Sequence, residues 1–125
     1  MELLRELKVI LAGNLLKPNF QPILDLRTMS VHGFEGLIRG PSDTVLHSPI
    51  RLFNVARTSG LLMDLDLACI HTLGRAFSAG TQDQRLFVNI SPDSFSRLAL
   101  DSGMKLESLE SLGIDSSRLV IELTE

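Results

Sequence analysis

The sequence predicts an α/β domain in which an antiparallel hairpin leads into parallel βαβ units. Two strand-like segments, "FQPILDL" and "VHGFEGLIR", are separated only by "RTMS". A parallel crossover needs about a dozen residues or more, so these two strands pair antiparallel. Strand and helix patterns then alternate to the last residue, as parallel βαβ units require. The intervening segments are long enough for right-handed crossovers.

In order along the chain, residues 2 to 16 form the first helix. Leu3, Leu4, Leu7, Ile10, Leu11 and Leu15 recur at helical spacing, with Glu2, Arg5, Glu6 and Lys8 mostly opposite. "KPN" ends it. The first strand is "FQPILDL", where Pro22 donates no ladder hydrogen bond and so implies an edge or an irregularity. "VHGFEGLIR" is the second strand and "PSDTVLHSP" a loop. Ser48 and Pro49 suit the N-cap and first position of a helix running to Thr58, with Gly60 at its end. A third helix covers 62 to 79, with Leu65, Ala68, Cys69, Thr72, Leu73 and Ala76 as its apolar stripe and Gly80 as its stop. "RLFVNIS" is strand three. Pro92 opens a helix to Leu100, "KLESLESLG" forms another, and "RLVIELTE" is strand four. A parallel strand buried on both faces expects a helix after it, so ending on this strand suggests a cut.

Bulk properties exclude several classes. The 125 residues fit one domain, with no repeat or long linker. The net charge of −3 favours neither DNA nor an anionic membrane. A single cysteine, Cys69, excludes an internal disulfide framework and fits a reducing compartment. No run of 18 apolar residues is present, so no transmembrane segment is expected. Glu2 and Glu6 stand where a signal peptide carries basic residues, which predicts a cytoplasmic protein. The mean hydropathy is +0.20, with no Trp or Tyr, high for a small domain that covers its own core. Either the core is unusually complete, or apolar surface awaits a partner.

Side chains alternate faces along a strand. In strand two Val31, Gly33, Glu35, Leu37 and Arg39 share one face, and His32, Phe34, Gly36 and Ile38 the other. In strand three Phe87, Asn89 and Ser91 oppose Leu86, Val88 and Ile90. In strand four Val120, Glu122 and Thr124 oppose Leu119, Ile121 and Leu123. Each strand thus has one apolar face for helices and one face that turns polar toward its C-terminal end. That is the pattern of a barrel or doubly wound sheet with a site at the C-terminal strand ends. Glu35, Asn89 and Glu122 offer oxygen donors only, a set for Mg²⁺ or Mn²⁺ rather than zinc. Arg39 suits a phosphate through its planar fork. Taken singly, each of these residues reads as an ordinary strand end, paired or solvated. Three in one register point to a site without naming its reaction.

Other polar residues carry less. His32 falls on the Phe34 face, His47 in a loop and His71 within the third helix, with no shared ligand spacing, and all three read as structural. Asp64 and Asp66, two apart, read as a solvated helix face. Cys69 reads as core. No Gly-rich phosphate loop or Ser/His/Asp nucleophile signature is visible.

"FQPILDLRTMSVHGFEGLIRGP", "SPIRLFNVARTSGLL", "LFVNISP" and "LVIELTE", in that order, resemble the first half of an EAL domain, the bacterial cyclic-di-GMP phosphodiesterase family. The resemblance covers residues 20–125, with 1–19 as a leading helix. It implies a partial TIM-like (β/α) barrel with an antiparallel first strand, only about the first half present, and a homo-oligomer is expected through the open barrel side. It implies metal-dependent hydrolysis of cyclic-di-GMP to pGpG. By position, Glu35, Asn89 and Glu122 would be Mg²⁺ or Mn²⁺ ligands, with Glu35 and Glu122 catalytic. Gln21, Leu37 and Arg39 would contact the substrate, Arg39 at its phosphate.

Two positions depart from the family pattern. Gly36 replaces the signature's middle Ala, from which a small loss of strand rigidity is expected. Gly40 replaces the Trp common after the Arg. A barrel of this type needs about 250 residues. The family's paired Asp, its Lys and a further Glu lie outside these 125 residues, so this chain alone is expected to be inactive. The competing readings are a non-catalytic EAL-like module that binds cyclic-di-GMP or a protein, and a small interaction domain complete as given.

Overall fold

The computed structural model describes residues 2–80, 83–100 and 115–124. Its elements are α1 (Glu2–Gly13), β1 (Lys17–Asp25), β2 (Ser30–Arg39), α2 (Pro49–Thr58), α3 (Leu62–Ser78), β3 (Arg85–Ile90), α4 (Pro92–Leu100) and β4 (Leu119–Leu123). Short 3₁₀ turns cover Val45–His47 and Ser116–Arg118. The strands form an open sheet in the order β1-β2-β3-β4. β1 and β2 pair antiparallel, and β3 and β4 follow in parallel. This is the expected hairpin and βαβ order, and it matches the opening part of a TIM-like barrel. The helix expected in "KLESLESLG" lies outside the described residues.

One face of the sheet is sealed by helices. Ile38, Leu86, Val88 and Ile90 pack with Leu7 and Ile10 of α1, Leu52 and Ala56 of α2, and Leu65, Cys69, Ile70, Leu73 and Phe77 of α3. Each is at most 6% exposed, and burial of a large aliphatic side chain stabilises by about 1.5–3 kcal/mol. The opposite face carries Glu35, Leu37, Phe87, Asn89 and Glu122, all half-buried or exposed. Alternation therefore separates the face that holds the fold together from the face that is free for chemistry.

Several boundaries differ from the sequence expectation, each for a local reason. α1 ends at Gly13 rather than residue 16, because Asn14 enters the left-handed region (φ 53°) and the Leu15 amide donates back to the Ile10 carbonyl at 3.0 Å. Leu16 then turns into the core, and β1 starts at Lys17 instead of Phe20. Pro18 and Pro22 are accommodated because β1 is an edge strand. α2 closes in the same manner as α1: Gly60 has φ +73°, and the Leu61 amide reaches the Ala56 carbonyl at 2.8 Å. Arg118 belongs to the 3₁₀ turn rather than to β4, and Asp115 caps that turn by accepting from the Ser117 amide at 3.0 Å.

Two face assignments also change. Ile23 lies opposite Gly33 but Leu24 opposite Val31, so His32 is an extra residue in β2, a β-bulge. The bulge breaks the alternation and brings the His32 ring to 6.0 Å from Phe87, on the face expected to lack it. The buried stripe of α3 is Leu65, Asp66, Cys69, Ile70, Leu73, Gly74 and Phe77, rotated from the expected one. Asp66 is thus buried, not solvated, whereas Asp64 is exposed.

Candidate functional site

The site begins with strand register. Glu35 on β2 lies beside Phe87 on β3, which places Asn89 two residues further toward the C-terminal end, and Asn89 lies beside Glu122 on β4. The three side chains share the open face, as alternation requires. The Asn89 side-chain amide donates to Glu35 Oε2 at 3.0 Å, across 54 residues of sequence. Glu122 stands close enough to Glu35 that its carboxyl is pushed above the usual carboxylate range, first by burial, then by the Glu35 charge and a hydrogen bond to Glu35. Its Oε1 is buried with no hydrogen-bond partner.

Those facts bear on whether a cation fits. Two carboxylates held together repel one another. A buried acceptor without a donor carries a desolvation cost. A hard divalent cation removes both penalties, and carboxylate and amide oxygens are the ligands it takes. The residues present fit a hard divalent cation, with Glu35, Asn89 and Glu122 as the groups that would hold it. Among the described residues no group of three or more His, Cys, Asp or Glu side chains is placed to hold a metal ion, so the candidate site rests on two carboxylates and one amide.

The expected substrate contacts line the adjacent strand ends. Gln21 is directly opposite Glu35, and Leu37 is opposite Asn19. Arg39 is exposed at the end of β2 opposite Lys17, so two cations stand at this end of the hairpin. Asn19, Gln21, Leu37, Arg39 and Asn89 are among the walls of a depression of about 660 Å³. All six expected site residues therefore lie on β1 to β4, toward one end of one face.

Three residues near the site escaped the sequence patterns. A second cavity of about 340 Å³ at the end of β3 is walled by Asn54, Arg57, Asp66, Asn89, Ser91 and Thr124, among others. Asp66 had a detectable signal, since it precedes Cys69, Ile70 and Leu73 at helical spacing on the buried stripe. Asn54 and Arg57 had none, because exposed polar residues on an amphipathic helix are ordinary. The three histidines stay apart: His47 is bound to the Gly40 carbonyl through Nδ1 at 3.0 Å, His32 contacts Phe87 and His71 is half-buried on α3. Burial and the neighbouring Asp66 charge push the Cys69 thiol far up, which marks it as an inert core residue.

Comparison with known proteins agrees with this fold. The sequence matches the EAL domain family over residues 4–125. It is 30% identical over 131 aligned residues to the cyclic di-GMP phosphodiesterase NbdA of Pseudomonas aeruginosa, covering 100% of this chain and 16% of that protein. The fold superposes with a TM-score of 0.75 and 25% identity on the EAL domain of Xanthomonas citri FimX in complex with c-diGMP, covering 99% of this chain and 49% of that one. Klebsiella pneumoniae BlrP1, in a calcium/cy-diGMP complex, gives a TM-score of 0.74 at 24% identity over 90% of this chain and 28% of that one. The chain thus spans about half of the FimX EAL domain and a far smaller share of NbdA. With the family matched along almost its whole length, this chain belongs to the EAL domain family.

Proposed function

We propose that this chain forms the N-terminal half of a cyclic-di-GMP phosphodiesterase site, with residues 1–19 leading into it and 20–125 carrying it. The observation that supports this best is the convergence of Glu35, Asn89 and Glu122 at neighbouring strand ends, with the Glu122 Oε1 left without a protein donor. Glu35 and Glu122 supply the anionic ligands of a divalent cation, and Asn89 supplies a neutral one. When bound there, Mg²⁺ or Mn²⁺ would supply Lewis acidity toward the phosphate ester and toward water. Gln21 and Leu37 position the dinucleotide along β1 and β2, and Arg39 binds its phosphate by a planar pair of donors. The cyclic-di-GMP bound in the FimX complex, and the relationship to the cyclic di-GMP phosphodiesterase NbdA, support that substrate class.

Two-metal hydrolysis requires protein ligands for two ions, which act on the attacking and the leaving oxygen. The described residues supply one cluster, so as an isolated polypeptide the chain binds cation without turnover and associates through the open face. Among the described residues no helix is long and apolar enough to cross a membrane. A free buried thiol suits the reducing cytoplasm, where we place the protein.

Titration calorimetry with Mn²⁺ tests the metal assignment. The chain binds Mn²⁺, and Glu35→Gln, Asn89→Ala and Glu122→Gln each weaken binding at least tenfold. The same samples convert no cyclic-di-GMP to pGpG. Equal Mn²⁺ affinity in all four proteins sinks the site. Cyclic-di-GMP binding that persists in metal-free buffer and in all three variants supports a non-catalytic sensor instead.

A further inference from the structure

We propose that Asp66 is a positioning residue for Asn89, acting through Ser91; the consequence for metal binding rests on the assignment of Asn89 as a ligand. Asp66 lies in the second turn of α3, is only 2% exposed and forms no ion pair among the described residues. A buried carboxylate without a cation is costly unless hydrogen bonds hold it. Here both donors come from a single residue. Asp66 Oδ2 accepts from the Ser91 hydroxyl at 2.8 Å and from the Ser91 amide at 3.3 Å.

Ser91 has a further task. Its Oγ accepts from the Ser94 amide at 3.2 Å, and its carbonyl accepts from the Phe95 amide at 3.0 Å. It is therefore the N-cap of α4, with Pro92 at the first helical position. One hydroxyl joins the acid of α3 to the first turn of α4, at the point where β3 ends. Asn89 is two residues upstream on the same strand, and its amide reaches Glu35 at 3.0 Å. Asp66, Asn89 and Ser91 wall the same cavity of about 340 Å³. The end of β3 is thus tied from behind by Asp66 while its side chain is held in front by Glu35. With the rear tie cut, the strand end and the Asn89 rotamer gain freedom, and a ligand so loosened binds metal less well.

The test follows the Asn89 side-chain amide by NMR, assigned by its loss in Asn89→Ala, in the wild-type chain and in Asp66→Asn and Ser91→Ala. Wild type shows two well-separated amide protons from the bond to Glu35. Both variants collapse that separation toward the value for exposed Asn54. Mg²⁺ titration then shows about tenfold weaker binding in each variant. Asp66→Asn adds no further loss in an Asn89→Ala background, whereas a merely structural role lowers affinity equally in both backgrounds. If Asp66→Asn fails to fold, Ser91→Ala carries the test, since it removes one hydroxyl. Unchanged Asn89 resonances in the folded variants, or fully additive losses, overturn the proposal. Wild-type protein that binds no Mg²⁺ refutes the ligand assignment instead, and the Asn89 resonances still decide whether Asp66 positions that side chain.

Discussion

Glu122 is the residue at which the electrostatics of the site are most exposed to measurement. Its carboxyl is raised above the ordinary 4.5 by burial and by Glu35. A raised value in the folded state means that the protonated form is preferred there. The resulting stability is fully present below about pH 4.5 and is lost as pH rises through the higher folded value. In EDTA, the difference in urea stability between wild type and Glu122→Gln therefore shifts against wild type as pH increases from 4 to 7. Saturating Mg²⁺ reverses the shift, because cation replaces proton. A difference independent of pH refutes the Glu35–Glu122 coupling. Cys69 gives a second residue-scale prediction. Buried and adjacent to Asp66, its thiol ionises far above its usual value, so alkylation at pH 8 proceeds only through unfolding. Its rate should match global opening in urea, and labelling of the folded chain at the rate of a free thiol contradicts this. Glu35, Asn89 and Glu122 were legible in the sequence because a two-residue period assigns faces without knowledge of the fold. Asp66 was not, because acids two apart on a helix look solvated unless the stripe is located correctly. His32 was misplaced because a bulge leaves no mark in the alternation.

At the scale of elements, the two glycines that depart from the family pattern answer to packing. A Cβ on Gly36 would stand 2.8 Å from Leu73 Cδ1, so the helix side chain occupies the room that an alanine methyl would take. The strand-rigidity effect expected from sequence is secondary to this contact. Gly36→Ala should destabilise by about 1–2 kcal/mol, since a Leu terminus can shift, and Gly36→Ala with Leu73→Val should recover part of the loss. Gly40 is more constrained. Its Cβ would fall on the Leu46 carbonyl oxygen, in a loop closed by the Gly40 amide on the His47 carbonyl at 3.2 Å. Backbone cannot yield as a side chain can, so Gly40→Ala should cost more than Gly36→Ala in urea denaturation. Equal costs, or a neutral Gly40→Ala, contradict that packing. Element order and type were readable because apolar periodicity and the Gly and Pro stops agree. The end of α1 was not, since Leu15 continues the helical spacing while Asn14 has already left the helix. Nor was the start of β1, where two prolines hide an edge strand.

For the whole molecule, what matters is that only one face of the sheet is covered. Helices seal Leu86, Val88 and Ile90, yet Leu37 is 37% exposed on the other face and Leu123 is 54% exposed on β4. β4 is also the last strand of the sheet, so one side of its backbone is unpaired among the described residues. Unpaired edges template strand addition, and contiguous exposed apolar surface marks interfaces. Burial returns about 25 cal/mol per Å² of apolar area, set against the entropic costs of association. A polypeptide of these 125 residues should therefore self-associate through β4 and the open face, with a two-fold pairing as the simplest closed form. Opposing this, the face carries Glu35 and Glu122, whose like charges meet on pairing, so Mg²⁺ should strengthen association and EDTA weaken it. Light scattering over a dilution series from about 100 to about 1 μM, with and without Mg²⁺, reads both effects. A chain that stays monomeric throughout would show that the open face is satisfied by water alone. Association indifferent to Mg²⁺ would place the contact away from the carboxylates, with the exposed hairpin tip of Leu26 and Met29 the next surface to substitute.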